Sequence, residues 1–390
     1  MTMTSQEILT KLVSFDTVSA NSNLPLIKWI EEYLSDLGVS SSLLPDESGE
    51  KASLFATIGG EGTDGYVLSG HTDVVPVEGQ DWTSNPFSLR EDDGLLYGRG
   101  SCDMKGFVAC CLAKVPEMLK APLKKPFHLM FSYDEETGCT GVQPVLYKLA
   151  GEGFQAEACF VGEPTEMQVV VAHKSKASYR AIFTGLSCHS SLAPQGVNAV
   201  HYGARLVAKL EEMARELAAG PRDELFDLPF STAHTGVIKG GTALNIVPEH
   251  CEVIFEFRVL PTESLQDCMD EIKRYAMEEL LPEMRKVYAD ANIEFIPYSE
   301  IPGLDTEVEA GVTVLAKKLA GRNDHAKVAY GTEAGLIQTI LKVPTVVCGP
   351  GSIEQAHKPD EFIKKTELDK CSDFLDRLIQ HACALHHASA

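Results

Sequence analysis

The chain has 390 residues, 44% of them hydrophobic and 23% charged, with a formal net charge of -22. That length exceeds one ordinary domain and points to two, and the composition is that of a soluble globular protein. The negative charge argues against nucleic acid or anionic membrane as a partner. The first ten residues, MTMTSQEILT, carry neither a basic nor an apolar segment, and no run of 18 apolar residues occurs in the sequence, so a cytoplasmic location is expected. Eleven cysteines are spread along the chain without a C-x-x-C pair and read as reduced, mostly buried thiols.

Helical spacing predicts helices over 5–14 and 24–37, the second with Ile27, Ile30, Leu34 and Leu37 on one face and Gly38 as its stop. Strands are expected over 53–58 and 66–69. The latter runs into Gly70-His71-Thr72-Asp73, and Gly98-Arg99-Gly100 later leads into Asp103-Met104-Lys105-Gly106 at the start of a helix over 104–119. An imidazole and a carboxylate thus stand on loops leaving secondary structure, where function concentrates. Asp73, two residues beyond His71 on an extended chain, faces the same side and can accept the ring N–H that fixes the tautomer of a ligating histidine. Asp103, on a glycine-bracketed turn, can offer its two oxygens to two cations. By itself H-x-D is a short pattern that also occurs without metal.

A strand over 128–133 then runs into Asp134-Glu135-Glu136-Thr137-Gly138. Three consecutive acids repel unless a cation or a proton relieves them. Adjacent residues project differently, so one of Glu135 and Glu136 can ligate while the other acts as a base; a solvated acidic turn is the bland alternative. The same grammar returns where 158–161 precedes Gly162-Glu163-Pro164-Thr165, and where 345–348 precedes the loop that carries His357. Four strands each followed by a candidate ligand match the rule that sites in open α/β sheets form beyond the carboxyl ends of strands.

From about residue 176 the order becomes strand (178–184), helix (198–217), strand (233–238), strand (251–260), helix (264–288), strand (292–297). This βαββαβ order is large enough to be an inserted α+β domain of ferredoxin-like type. The expected division is therefore 1–176 with 299–390 as a catalytic α/β domain, its mixed central sheet flanked by helices, and 177–298 as the insertion. After Pro302 come a helix over 306–319, the loop Tyr330-Gly331-Thr332-Glu333-Ala334-Gly335, and a last helix from Glu367 with Thr366 as N-cap. The closing Leu385-His386-His387-Ala388 reads as a frayed end.

The collected candidates are His71, Asp103, Glu136, Glu163 and His357, with Glu135 unligated. Two imidazoles and three carboxylates suit a pair of borderline cations, zinc first, with cobalt or manganese as rivals. Cations sharing Asp103 would hold and acidify a bridging water and polarise a carbonyl oxygen. Glu135 would take the proton and hand it to a leaving amine.

These residues stand in LVSFDTVSANSNL, SGHTDVVP, LYGRGSCDMKGF, SYDEETGC, GEPT, CHSSLAPQGVNAV, YGTEAG and GPGSIEQAHKPDEF. Through them essentially the whole chain resembles the dinuclear zinc amidohydrolases and peptidases of the aminoacylase and carboxypeptidase G type. The resemblance implies two zinc ions, cobalt being an alternative, with His71 and Glu163 on one, Glu136 and His357 on the other, and Asp103 between them. It further implies Asp73 as the partner of His71, Glu135 as general base, and a homodimer held through the inserted lid domain. His189, which from its surroundings reads as a cap or core histidine, matches a family histidine that reaches the neighbouring subunit's site and stabilises the oxyanion. Asn245 and Arg258 match positions that bind a substrate carboxylate, a task suited to a guanidinium; without the resemblance, Arg258 reads as a surface ion pair. Ser175 departs from the family pattern, where glycine is expected at the domain junction.

The Thr332-Glu333-Ala334-Gly335 loop and the GPGSIEQAHKPDEF stretch resemble the branch of the family that deacetylates acetylornithine in arginine synthesis. Thr332 and Glu333 are then expected at the substrate, Glu333 facing its side-chain ammonium. A desuccinylase, dipeptidase or aminoacylase with the same centre is the enzymatic alternative. A catalytically silent dimeric scaffold is the alternative of another class, and it has no use for an unligated Glu135.

Overall fold

Alternating strand and helix signals build a computed structural model that describes residues 3–60 and 64–384. The expected frayed end at 385–388 lies outside the described residues. The chain divides into two compact units: Met1–Ala172 with Leu304–Ala326 and Thr332–Ala390, and His173–Gly303 with Lys327–Gly331.

In the first unit the main sheet runs in the order Ser41–Pro45, Ala52–Ile58, Phe127–Ser132, Gly65–His71, Ala156–Pro164, Thr345–Gly349, Val170–His173 and Leu304–Asp305. Its four central members, Phe127–Ser132, Gly65–His71, Ala156–Pro164 and Thr345–Gly349, are mutually parallel, whereas Ala52–Ile58 is antiparallel to its neighbour. The strand Gly65–His71 is buried along its whole length, as expected where both faces of a parallel sheet are covered. One of the covering helices is Lys105–Lys120, whose Phe107, Val108, Cys111 and Leu112 are buried in the main core. Contact there is close enough to require glycine: a Cβ on Gly162 would lie 1.9 Å from Cγ of Phe107. The first helix, Ser5–Val13, starts from a capping box of Thr4 and Glu7.

Several short elements escape periodicity. Arg90–Asp92, Leu95–Tyr97 and Phe362–Lys364 form a second, three-stranded sheet, with strands too brief for an alternation to register. Phe362–Lys364 feeds directly into the last helix, Lys365–Cys383. Its N-cap is Lys364 and no side chain caps it, so Thr366 lies inside the first turn and is not the expected cap. The helix expected over 306–319 is Gly311–Ala320, because Thr306 donates to the Thr345 carbonyl at 2.6 Å and extends the chain along the sheet first.

The second unit is an antiparallel sheet ordered Thr232–Gly240, His250–Val259, Ser175–Thr184, Asn292–Ile301. Along the central strand, Cys251, Val253, Phe255, Phe257 and Val259 are buried and the alternate residues are less so. Buried residues of the helices Ala199–Ala219 and Leu265–Arg274, including Leu206, Leu210, Met269 and Ile272, pack with them. Asn198 and Ser264 cap these helices by accepting the backbone N–H of His201 and Asp267. The helix expected over 264–288 passes through a π-helical segment, Tyr275–Leu280, before Leu281–Arg285.

Candidate metal centre

The four parallel strands bring residues at or beyond their carboxyl ends to one end of the sheet. His71 closes Gly65–His71, Glu163 is the penultimate residue of the strand Ala156–Pro164, Glu135 and Glu136 follow Phe127–Ser132, and His357 lies beyond Thr345–Gly349. Asp103 arrives just before the helix Lys105–Lys120. Asp134 and His357 have φ of +54° and +63°, a left-handed backbone that non-glycine residues adopt at a cost and that recurs at functional sites.

Asp103 sits between the two imidazoles. Its Oδ1 is 3.0 Å from Nε2 of His71, and its Oδ2 is 3.4 Å from Nε2 of His357. His71 Nε2 is 3.9 Å from Oε2 of Glu163, and His357 Nε2 is 3.1 Å from Glu136. Ligand atoms of His71, Asp103 and Glu136 lie within 4.8 Å of one another, as do those of His71, Glu135 and Glu163. In the acidic run, Asp134 is drawn aside by Lys51 at 2.6 Å, while its two successors face the cluster.

The charges are out of balance without a cation. Burial, with the negative charges of Asp103, Glu135 and Glu333, pushes Glu163 well above the usual carboxylate range against the pull of His71. Burial does the same to Glu135, reinforced by Glu136, Asp103 and Asp73. Burial opposes a charge on His71, but its contacts with Asp103 and Asp73 and the charge of Glu163 outweigh this and raise it. Contacts with Asp103 and Glu136 raise His357 to about 10. Oε1 of Glu163 is buried with no hydrogen-bond partner, a costly state for an ionised oxygen. A set of imidazole and carboxylate donors, all buried or partly buried except the exposed His357 and with one oxygen unsatisfied, fits a borderline divalent cation.

Supporting contacts hold this arrangement. His71 Nδ1 lies 2.9 Å from the backbone carbonyl oxygen of Asp73 and 3.5 Å from its carboxylate. The carbonyl is the nearer acceptor, and the expected carboxylate also contacts the ring and helps to raise it. The Asp73 carboxylate accepts further from Ser19 Oγ at 2.7 Å and from the backbone N–H groups of Glu135 and Glu136 at 3.1 and 3.3 Å. The Cys139 thiol donates to Glu135 Oε1 at 3.4 Å. Glu361 and Arg99, which carried no local signal, form a buried ion pair of 2.8 Å beside Asp103; their 262-residue separation hides such a pairing from any motif.

Thr332 is buried, and its hydroxyl accepts from the backbone of Ala334 at 3.1 Å. Glu333 is buried too, accepting from Ser69 Oγ at 3.1 Å and from Ser132 Oγ. His189, Asn245 and Arg258 belong to the second unit. There His189 is exposed, its Nδ1 2.8 Å from Ser191 Oγ, and its segment bridges that of Ile246. Asn245 is exposed and its carbonyl accepts from the N–H of Ser190, while Arg258 donates to Glu256 at 2.9 Å.

A mixed α/β sheet whose strand ends converge on imidazoles and carboxylates belongs to a metal-dependent hydrolase. Residues 67–381 match the peptidase family M20/M25/M40. The chain is 34% identical over 389 residues to the acetylornithine deacetylase of Proteus mirabilis (strain HI4320), covering 98% of this chain and 97% of that one. It is 35% identical over 371 residues to the acetylornithine deacetylase of Pasteurella multocida (strain Pm70), covering 95% and 94%. The fold is similar to the M20 family metallo-carboxypeptidase Sso-CP2 from Sulfolobus solfataricus, with a TM-score of 0.79 at 19% identity over 97% of this chain and 99% of that one. It is also similar to the YXEP protein of Bacillus subtilis, described as a dinuclear metal binding peptidase, with a TM-score of 0.66 at 17% identity over 96% of each chain. The chain belongs to peptidase family M20/M25/M40.

Proposed function

We propose that this chain removes the acetyl group from N2-acetyl-L-ornithine, yielding L-ornithine and acetate. The observation that carries the reading is Asp103 standing between two imidazoles, each with its own glutamate, with Glu135 in the same cluster. The name shared by the relatives that match nearly the full chain supports the substrate.

His71 and Glu163 would hold one zinc ion, Glu136 and His357 a second, and Asp103 both, cobalt being an alternative metal. Bound there, the cations supply acidification of water and polarisation of the scissile carbonyl. Glu135, poised by the Asp73 contact to its backbone, accepts a proton from water as the water oxygen attacks the amide carbon. The same carboxyl group then gives that proton to the departing amine as the C–N bond breaks. Its raised pKa suits both halves of the transfer.

The second unit serves as lid and dimerisation domain, and the assembly is a homodimer in the cytoplasm. Fully exposed Leu244 and exposed Ile246 beside His189 support a partner at this edge. His189 of one copy then supplies the oxyanion donor to the other, and Asn245 and Arg258 bind the substrate carboxylate. Thr332 and Glu333 are assigned to the substrate side chain.

The test is steady-state hydrolysis of N-acetylornithine, N-succinyl-diaminopimelate and N-acetylmethionine by protein stripped of metal and then titrated with zinc or cobalt. Acetylornithine is expected to lead in kcat/KM and activity to follow metal. Another substrate in the lead replaces the substrate assignment, and loss of turnover with two metals bound replaces the enzyme reading with a scaffold.

A further inference from the structure

Two segments that carry cluster residues are distant in sequence and meet at one buried carboxylate. The ladder between Leu95–Tyr97 and Phe362–Lys364 sets Tyr97 opposite Phe362, and the next contact is the Gly98 N–H donating to the Glu361 carbonyl at 2.9 Å. The Glu361 side chain therefore enters the loop that ends at Asp103. Its Oε1 accepts from the N–H groups of Cys102 and Asp103 at 2.8 and 3.0 Å. Its Oε2 accepts from the Gly100 N–H at 2.9 Å and from Arg99 Nη1 at 2.8 Å. Four donors thus converge on one carboxylate, three of them from the loop backbone.

Arg99 extends the same contact towards His357. Its Nη1 also donates to the Lys358 carbonyl at 3.2 Å, and its Nη2 donates to Gln80 Oε1 at 2.5 Å. Gln80 donates in turn through Nε2 to the carbonyl oxygen of His357 itself, at 3.0 Å. The guanidinium carbon lies 5.0 Å from the centre of the Trp82 ring, within cation–π range. Asp360 accepts from the N–H and hydroxyl of Thr83, both at 3.0 Å. One rigid unit thereby holds the backbone of Asp103 and the backbone of His357. Neither Arg99 nor Glu361 has a route to substrate, since both side chains are about 1% exposed.

We infer that Glu361, Arg99 and Gln80 are positioning residues that set the spacing between Asp103 and His357 and so determine the affinity of the centre for its cations. The inference rests on the reading of His71, Asp103, Glu136, Glu163 and His357 as ligands. Glu361 acts on Asp103, which would serve both cations, whereas Gln80 touches the His357 segment and Arg99 but not the Asp103 backbone. Losing such support weakens metal binding by about 10–100-fold. Glu361→Gln should therefore weaken both equivalents, and Gln80→Ala only one.

The experiment is calorimetric titration of zinc into metal-free wild type, Glu361→Gln and Gln80→Ala, with chelator competition for the tighter equivalent and thermal unfolding of each metal-free protein as the folding control. Wild type is expected to take two equivalents. Gln80→Ala removes one acceptor of Arg99 but leaves the Arg99–Glu361 pair itself, so it should stay folded while one of its two equivalents loses about 10–100-fold in affinity; should Glu361→Gln fail to fold, this variant alone decides. If both equivalents bind the folded variants with wild-type affinity, the positioning role is overturned while the ligand reading stands. If wild type binds no zinc, the ligand reading fails and takes the inference with it.

Discussion

The carboxylate of Asp73 accepts the backbone N–H of Glu135 at 3.1 Å. Through that bond and its partner to Glu136, the segment after His71 sets where the acidic run of the next strand can lie. Asp73→Asn keeps the shape but turns one acceptor oxygen into a donor NH2 group. Turnover of acetylornithine should fall about 10–100-fold, with two zinc equivalents still bound. A kcat within twofold of wild type would show that the run holds itself in place.

Glu135 is the acid with no assigned ligand role. Glu135→Gln should lower kcat by at least about 100-fold, the range found for loss of a positioned base, without changing metal stoichiometry. Full loss of zinc in this variant would instead make Glu135 a ligand.

The raised acids predict a pH dependence with a definite sign. Glu135 and Glu163 have folded pKa values above their unfolded ones. The stability they contribute to the metal-free fold is complete below the ordinary carboxylate range and is lost as pH rises through the raised values. His71 and His357 shift the same way, the latter only giving up its share as pH approaches about 10. Asp73 and Asp103 are lowered and act oppositely, losing their contribution on acidification. Zinc uptake should therefore release protons, and the gain in Tm on zinc loading should widen as pH is raised from the carboxylate range to neutrality. Titration in two buffers of different ionisation enthalpy measures the release, which should shrink in Glu163→Gln.

Glu333 offers a sharper test of substrate choice. To meet a substrate ammonium it has to exchange its contacts with Ser69 and Ser132. If it does, Glu333→Gln raises KM for acetylornithine far more than for acetylmethionine. Equal effects on the two would make it a support within the sheet.

Gly162 tests how closely the helix after Asp103 presses on the sheet. An added Cβ would meet the Phe107 ring at 1.9 Å, inside a buried core. Gly162→Ala should cost about 1–3 kcal/mol of stability, the usual range for overpacking, read as a lower midpoint in urea with an unchanged slope.

Much was legible along the chain because connectivity fixes it. A strand that ends in or near His71, Glu135 and Glu136, or Glu163 carries its donor to the end of the sheet whatever else happens, and the βαββαβ run defines its own antiparallel sheet. The choice of donor types, imidazole and carboxylate without thiolate, was likewise present in the motifs. Tertiary structure decided what the chain order leaves open. Parallel pairing in the order Phe127–Ser132, Gly65–His71, Ala156–Pro164, Thr345–Gly349 turned four separate motifs into one cluster. Burial then determined which polar atoms were used internally, as in Thr332 and Glu333. The Arg99–Glu361 pair came only from a register between three-residue strands. Side-chain periodicity records which face a residue takes; it holds no information on which distant segment will lie opposite, and that depends on the packing of the whole unit.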